Sequence, residues 1–262
     1  MTVVVSDASK YGIVMVGDTA ASNVQTGEIR SDAKKIHYSE RANIGFAIWG
    51  SAHMSGGTRM DSWLSHFIRD EINKNEPIDE VCEKLERELV NDLEKLGASW
   101  NSLRRGIHIA GYKNNLPVIY HLHTGPEEGE QEKIAFHKDY PDVHVPNVIA
   151  QIQKENQNLS FDLWRVYRDL LDQEYPIHLR NGYIPHFGIL FDHIYRYSKE
   201  MKTAVKIQFP FPSLAERVEF FEMLVGFVAD VLRVSCEPER VNKLLDSIGF
   251  DQRGLKIDKR QS

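Results

Sequence analysis

Cysteine is nearly missing from this chain: Cys82 and Cys236 are its only two. So few exclude a disulfide framework and fit a reducing, cytoplasmic setting. Cys82 falls on the apolar face of a predicted helix and reads as a small core residue. Long apolar runs are missing too. None approaches the ~20 residues that span a bilayer, so no membrane role is expected. The start is a short β-like run without the cationic flank and cleavage site of a signal peptide. There is no excess of positive charge. The net charge of −6 and pI of about 6.0 exclude nucleic acid as an expected partner. Neither His-Glu-x-x-His nor Cys-x-x-Cys occurs, so a structural or catalytic zinc has no support in the sequence, and the N-terminal chemistry described below needs neither metal nor organic cofactor. Internal repeats and low-complexity segments are absent as well.

What remains is an ordinary globular composition, 42% apolar and 27% charged over 262 residues. That suits a single domain, 1–262, with room for an insertion. Residues 2–6 and 11–17 read as a hairpin around an Asp-Ala-Ser-Lys turn, and strands follow near 34–38 and 43–49. Met60, Leu64, Phe67, Ile68 and Ile72 give one helix a buried stripe. Pro77 opens a second helix whose stripe runs from Ile78 to Leu96 and stops at Gly97. Two strands, 106–112 and 117–123, meet at Lys-Asn-Asn. His121 and His123 share a side of the second strand. With no third ligand in view they read as strand residues rather than a metal pair.

From about 140 the pattern turns helical, with helices expected at 147–157 and 161–174. An aromatic amphipathic stretch follows at 185–202, where His186 and His193 share a face for packing. Ser213-Leu-Ala-Glu216 is a capping box. It opens a helix with Leu214, Val218, Phe221, Val225, Val228 and Leu232 in one seam, suited to a helical layer or a subunit contact.

The chemistry concentrates in the first fifty residues. A small residue follows Met1, so removal of Met1 is expected to leave Thr2 with a free α-amine beside its hydroxyl. The amine, with an ordinary pKa near ~8, can take the hydroxyl proton directly or through one water. A nearby cation would keep the amine neutral, a carboxylate would hold that cation, and a backbone N–H would stabilise an oxyanion. Asp18, Lys34 or Lys35, and Gly50 are candidates, each at or beside a β-like run. Strand alternation lets only one of the two lysines face the site.

At these residues the chain resembles the proteasome β-subunits and HslV-type bacterial peptidases, threonine-type N-terminal nucleophile hydrolases. The likeness lies in Thr2-Val-Val-Val, Gly12-Ile-Val-Met-Val-Gly-Asp18-Thr, Ala33-Lys-Lys-Ile36 and Ile44-Gly-Phe-Ala-Ile-Trp-Gly50-Ser-Ala. It covers about 2–55 well and continues more loosely to about 125. A lone Met before the Thr is more like the bacterial members. In the family the lysine preceding an Ile, Val or Leu lies near the threonine, which favours Lys35.

The resemblance implies a four-layer αββα sandwich of two mostly antiparallel sheets; from about 140 the chain departs from the family pattern, and an extra helical insertion at about 147–205 is expected on one rim. It implies a threonine endopeptidase with Thr2, Asp18, Lys35 and Gly50 as catalytic residues and peptide or unfolded protein as substrate. A homo-oligomer follows from it, and an ATPase unfoldase partner by analogy. The family's Ser-Gly-Ser-type segment is missing; the corresponding stretch reads Ile134–Asp139. Its Ser-x-x-Ser-Gly-like turn has only an approximate match in Leu245-Asp-Ser-Ile-Gly249, where Asp246 or Ser247 could substitute. Two alternatives stand beside the peptidase: a non-peptidase amidohydrolase using the same N-terminal chemistry, and an inactive scaffold on the same fold.

Overall fold

The computed structural model describes residues 3–22, 29–30, 32–50, 53–97, 105–127, 130–139, 163–172, 177–182, 193, 213–234 and 244–260. Thr2, Ser51, Ala52, the expected helix at 147–157 and the stretch 185–202 lie outside them, apart from His193.

Strands β1 (Val3–Ser9) and β2 (Gly12–Asp18) form the opening hairpin. Both are buried along their whole length, which explains their near-continuous apolar runs. The turn is Lys10–Tyr11, later than expected, because Asp7 and Ala8 remain paired in β1. Asp7 stays in the sheet because Arg217 reaches it from a distant helix, with Nε and Nη2 donating to Oδ2 at 3.0 and 2.5 Å. Gly12 closes the turn at φ +137°, where a Cβ would meet the Phe250 carbonyl oxygen at 2.5 Å.

A short ribbon follows, β3 (Ala21–Ser22) with β4 (Ile29–Arg30). Next come β5 (Ile36–Ser39), β6 (Ile44–Gly50) and a 3₁₀ turn at Ser55–Gly57. Helix α1 (Met60–Asp70) buries Met60, Leu64 and Phe67, as the spacing predicts. Helix α2 (Ile78–Leu96) begins just after Pro77 and ends at Gly97, left-handed at φ 53°. Strands β7 (Arg105–Lys113) and β8 (Leu116–Glu127) join through Asn114 and Asn115, both at positive φ. Asparagine tolerates this conformation, and it sets the twist of a two-residue hairpin. Strand β9 (Glu130–Asp139) pairs with β8.

Helix α3 (Leu163–Asp172) lies where a helix is expected. The insertion is not wholly helical, however. Strand β10 (Ile177–Gly182) runs antiparallel to β1 and supplies the partner that the exposed edge of that strand would otherwise lack. Helix α4 (Leu214–Val234) starts at the expected box: Glu216 N donates to Ser213 Oγ, and the Ser213 hydroxyl donates to Glu216 Oε2. Leu245–Gly249 is not a turn. It belongs to β11 (Leu245–Asp251), which pairs with β2 and with β12 (Gly254–Asp258).

Apart from the β3–β4 ribbon, the strands among the described residues form two antiparallel five-stranded sheets, ordered β10-β1-β2-β11-β12 and β5-β6-β7-β8-β9. Alternation along each strand feeds three apolar clusters. Val3, Val5, Val14 and Val16 pack with Val218, Phe221 and Val225 of α4. Val4, Ile13, Met15 and Phe250 meet Ile36, Ala47, Ala110 and Ile119 of the other sheet. Phe46, Ile48, Ile107 and Tyr120 pack under α1 and α2, joined by Tyr167 and Leu171 of α3.

Candidate functional site

Asp18 ends β2 and is fully buried. Its Oδ1 accepts the Val3 amide N–H at 2.8 Å and the Lys35 ammonium, also at 2.8 Å. Its Oδ2 accepts the Ala20 N–H at 3.1 Å. One carboxylate thus ties together the first residue of β1, the exit of β2 and the residue before β5.

Between the two lysines, Lys35 is buried at 4% exposure and paired with Asp18, whereas Lys34 is exposed. The backbone around them is braced on several sides. Ile48 N donates to the Lys35 carbonyl at 3.0 Å, and Ala33 N to the Thr19 carbonyl at 3.1 Å. The Lys34 N–H donates to Asp61 Oδ2 at 3.3 Å, and His37 Nε2–H donates to the Lys34 carbonyl at 2.9 Å. Burial lowers the Lys35 pKa, opposed by the negative charges of Asp18 and Asp246. A desolvated ammonium held by a carboxylate is a strong local cation, suited to disfavour protonation of a second amine close by.

Gly50 closes β6 opposite Arg105, is solvent-exposed, and sits at φ +87°, a backbone conformation that glycine adopts without strain. The next described residue is His53, which leads into the 3₁₀ turn at Ser55–Gly57. Thr2, the expected nucleophile, lies outside the described residues. Val3 N is nevertheless covalently bound to it, and consecutive Cα atoms are about 3.8 Å apart. The structure therefore brings Asp18 and Lys35 together at the residue following Thr2.

Of the two substitutes for the family's turn, only Asp246 bears on the lysine. It is buried on β11 opposite Gly17, and its charge acts on Lys35. Ser247 faces the other way, donating from Oγ to Glu222 Oε1 of α4 at 2.5 Å. The support from His37, Asp61 and the Val3 amide is not legible in the sequence, since each acts through backbone groups. His121 and His123 do share a side, with rings stacked 4.4 Å apart. The His121 Nε2 accepts the Trp49 indole N–H at 3.1 Å. Among the described residues no three His, Cys, Asp or Glu side chains gather to hold a metal. Nor is any helix among them long and apolar enough to cross a membrane.

The fold is proteasome-like. Two solved structures carry that statement, both of Anbu, a proteasome-like bacterial protein, from Hyphomicrobium sp. strain MC1. The Gly-1 mutant superposes with a TM-score of 0.57 at 11% identity, over 100% of this chain and 87% of its own. A second Anbu structure gives 0.53 at 12%, over 99% and 87%. No family model and no curated protein sequence matches the chain.

Proposed function

We propose that this protein is an N-terminal nucleophile hydrolase that cleaves peptide bonds with Thr2, made amino-terminal by removal of Met1. The observation that carries this reading is the convergence of the Val3 N–H and the Lys35 ammonium on one oxygen of Asp18, each at 2.8 Å. In this reading the three apolar clusters separate four layers, helix–sheet–sheet–helix, within one domain.

The Thr2 amine takes the hydroxyl proton as Oγ attacks the amide carbonyl carbon. Lys35 keeps that amine neutral in the free enzyme, and Asp18 holds Lys35. The Gly50 N–H stabilises the oxyanion. Collapse of the tetrahedral intermediate breaks the C–N bond, and the amine passes the proton to the leaving nitrogen. Water then attacks the ester, releasing the acid and restoring the hydroxyl. The substrate class is unfolded polypeptide in the cytoplasm, reaching a site sequestered in a homo-oligomer, with an ATPase unfoldase as the analogous partner.

The test is a panel of fluorogenic peptides set against small amides, with wild type and Thr2→Ala. Peptide turnover lost in Thr2→Ala supports the peptidase. Turnover of small amides alone moves the assignment to a non-peptidase amidohydrolase. Turnover that survives Thr2→Ala means that Thr2 is not the nucleophile, and none with either panel leaves the inactive proteasome-like scaffold.

A further inference from the structure

Among the described residues Arg105 is the largest side chain sealed from solvent, and the mechanism above does not use it. It opens β7 directly opposite Gly50. Its own backbone is fixed on the other side, where its N–H donates to Thr124 Oγ1 of β8 at 3.1 Å. The guanidinium then reaches back across the chain. Nη2 donates to Asp92 Oδ2 of α2 at 2.8 Å, and Nη1 lies 3.4 Å from both the His53 carbonyl oxygen and Met54 Sδ. The second oxygen of Asp92 accepts both the N–H and the hydroxyl of Ser55, at 2.8 and 2.6 Å. Beyond Ser55 the turn closes on itself, with Met54 N donating to the Thr58 carbonyl at 2.8 Å.

A buried guanidinium is costly to desolvate, and an apolar side chain could fill the same space more favourably. What an apolar side chain cannot do is hold main-chain groups. One residue stands opposite Gly50 in the ladder and reaches His53, three residues on, through its side chain. Asp92 completes the grip at Ser55.

We propose that Arg105, together with Asp92, is a positioning residue that sets the direction of the Gly50 N–H as oxyanion donor. The inference rests on the Thr2 reading. An oxyanion donor that is displaced or turned loses effect steeply, because its worth depends on preorganised aim.

Two electrophiles separate positioning from general support. With a β-lactone, Thr2 Oγ bonds to the carbonyl carbon, the ring C–O bond breaks, and the released alkoxide takes the proton the amine removed. That path passes through an oxyanion. With a peptide vinyl sulfone, Oγ bonds to the β-carbon, and the displaced π pair takes the same proton at the α-carbon. No tetrahedral oxyanion forms. Arg105→Lys and Asp92→Asn are expected to slow β-lactone labelling by about ten- to a hundredfold. Vinyl sulfone labelling should stay within about twofold, with an unchanged pH midpoint for both probes.

Should either variant fail to fold, Ser55→Ala removes only the hydroxyl bond to Asp92. It should slow β-lactone labelling alone, by a smaller factor. Equal rates with both probes in the folded variants, or equal losses with both, overturn the inference while leaving the Thr2 reading standing. Wild-type protein unlabelled by either probe overturns the reading and this inference together.

Discussion

Lys35 and Asp18, seventeen residues apart in sequence, meet at 2.8 Å as a buried ion pair, and the Val3 amide shares the same carboxylate oxygen. Removal of the cation tests its proposed part in tuning the amine. Lys35→Met should slow covalent labelling of Thr2 by at least about a hundredfold, within the range that proton-transfer partners contribute. It also strands the Asp18 carboxylate and should cost about 3–5 kcal/mol of stability. Lys34→Met, at an exposed position, should change neither labelling rate nor melting temperature.

The buried Asp7–Arg217 pair locks β1 to α4. Burial raises the Asp7 pKa even though Arg217 opposes it, so the carboxylate is held at a cost. Arg217→Met should destabilise the protein by about 3–5 kcal/mol in denaturant melts. The double variant Asp7→Val/Arg217→Met should recover most of that loss, because no uncompensated charge is left.

Much of this architecture is legible in the sequence because its signals are local. The stripe of α2, the left-handed Gly97, the Ser213–Glu216 box and the Asn114–Asn115 turn each need only neighbours within a few residues. The failures share one physical cause, partners far away in the chain. Asp7 reads as a turn residue until Arg217 neutralises it. Asp246 and Ser247 read as a turn until the charge of Lys35 near one and the Glu222 carboxylate bonded to the other are seen inside β11. The strand β10 is fixed by pairing with β1, which its own short sequence does not announce. The choice between Lys34 and Lys35 follows from the single side on which Asp18 stands.

His37 is buried, and burial pushes its pKa down to about 4, from 6.5. The folded state therefore binds a proton more weakly than the unfolded chain. The stability tied to neutral His37 is complete above about pH 6.5 and is lost as pH falls toward 4. The drop attributable to this group is about 3 kcal/mol. His37→Gln should flatten that part of the stability–pH curve, measured by urea melts between pH 4 and 7.

Gly45 faces the other sheet, where an added Cβ would lie 2.6 Å from Met15 Sδ and 2.9 Å from a ring carbon of Phe250. Gly45→Ala should destabilise the fold by about 1–3 kcal/mol through overpacking. The check is a thermal melt against wild type, with no change expected in the pH dependence of labelling.

The central claim is that a processed Thr2 is the reactive group beside Asp18 and Lys35, and intact-mass measurement tests it most directly. Purified protein should weigh one methionine less than the full sequence and gain one β-lactone adduct, mapped by peptide sequencing to Thr2. A retained Met1, or an adduct on any other residue, would contradict it.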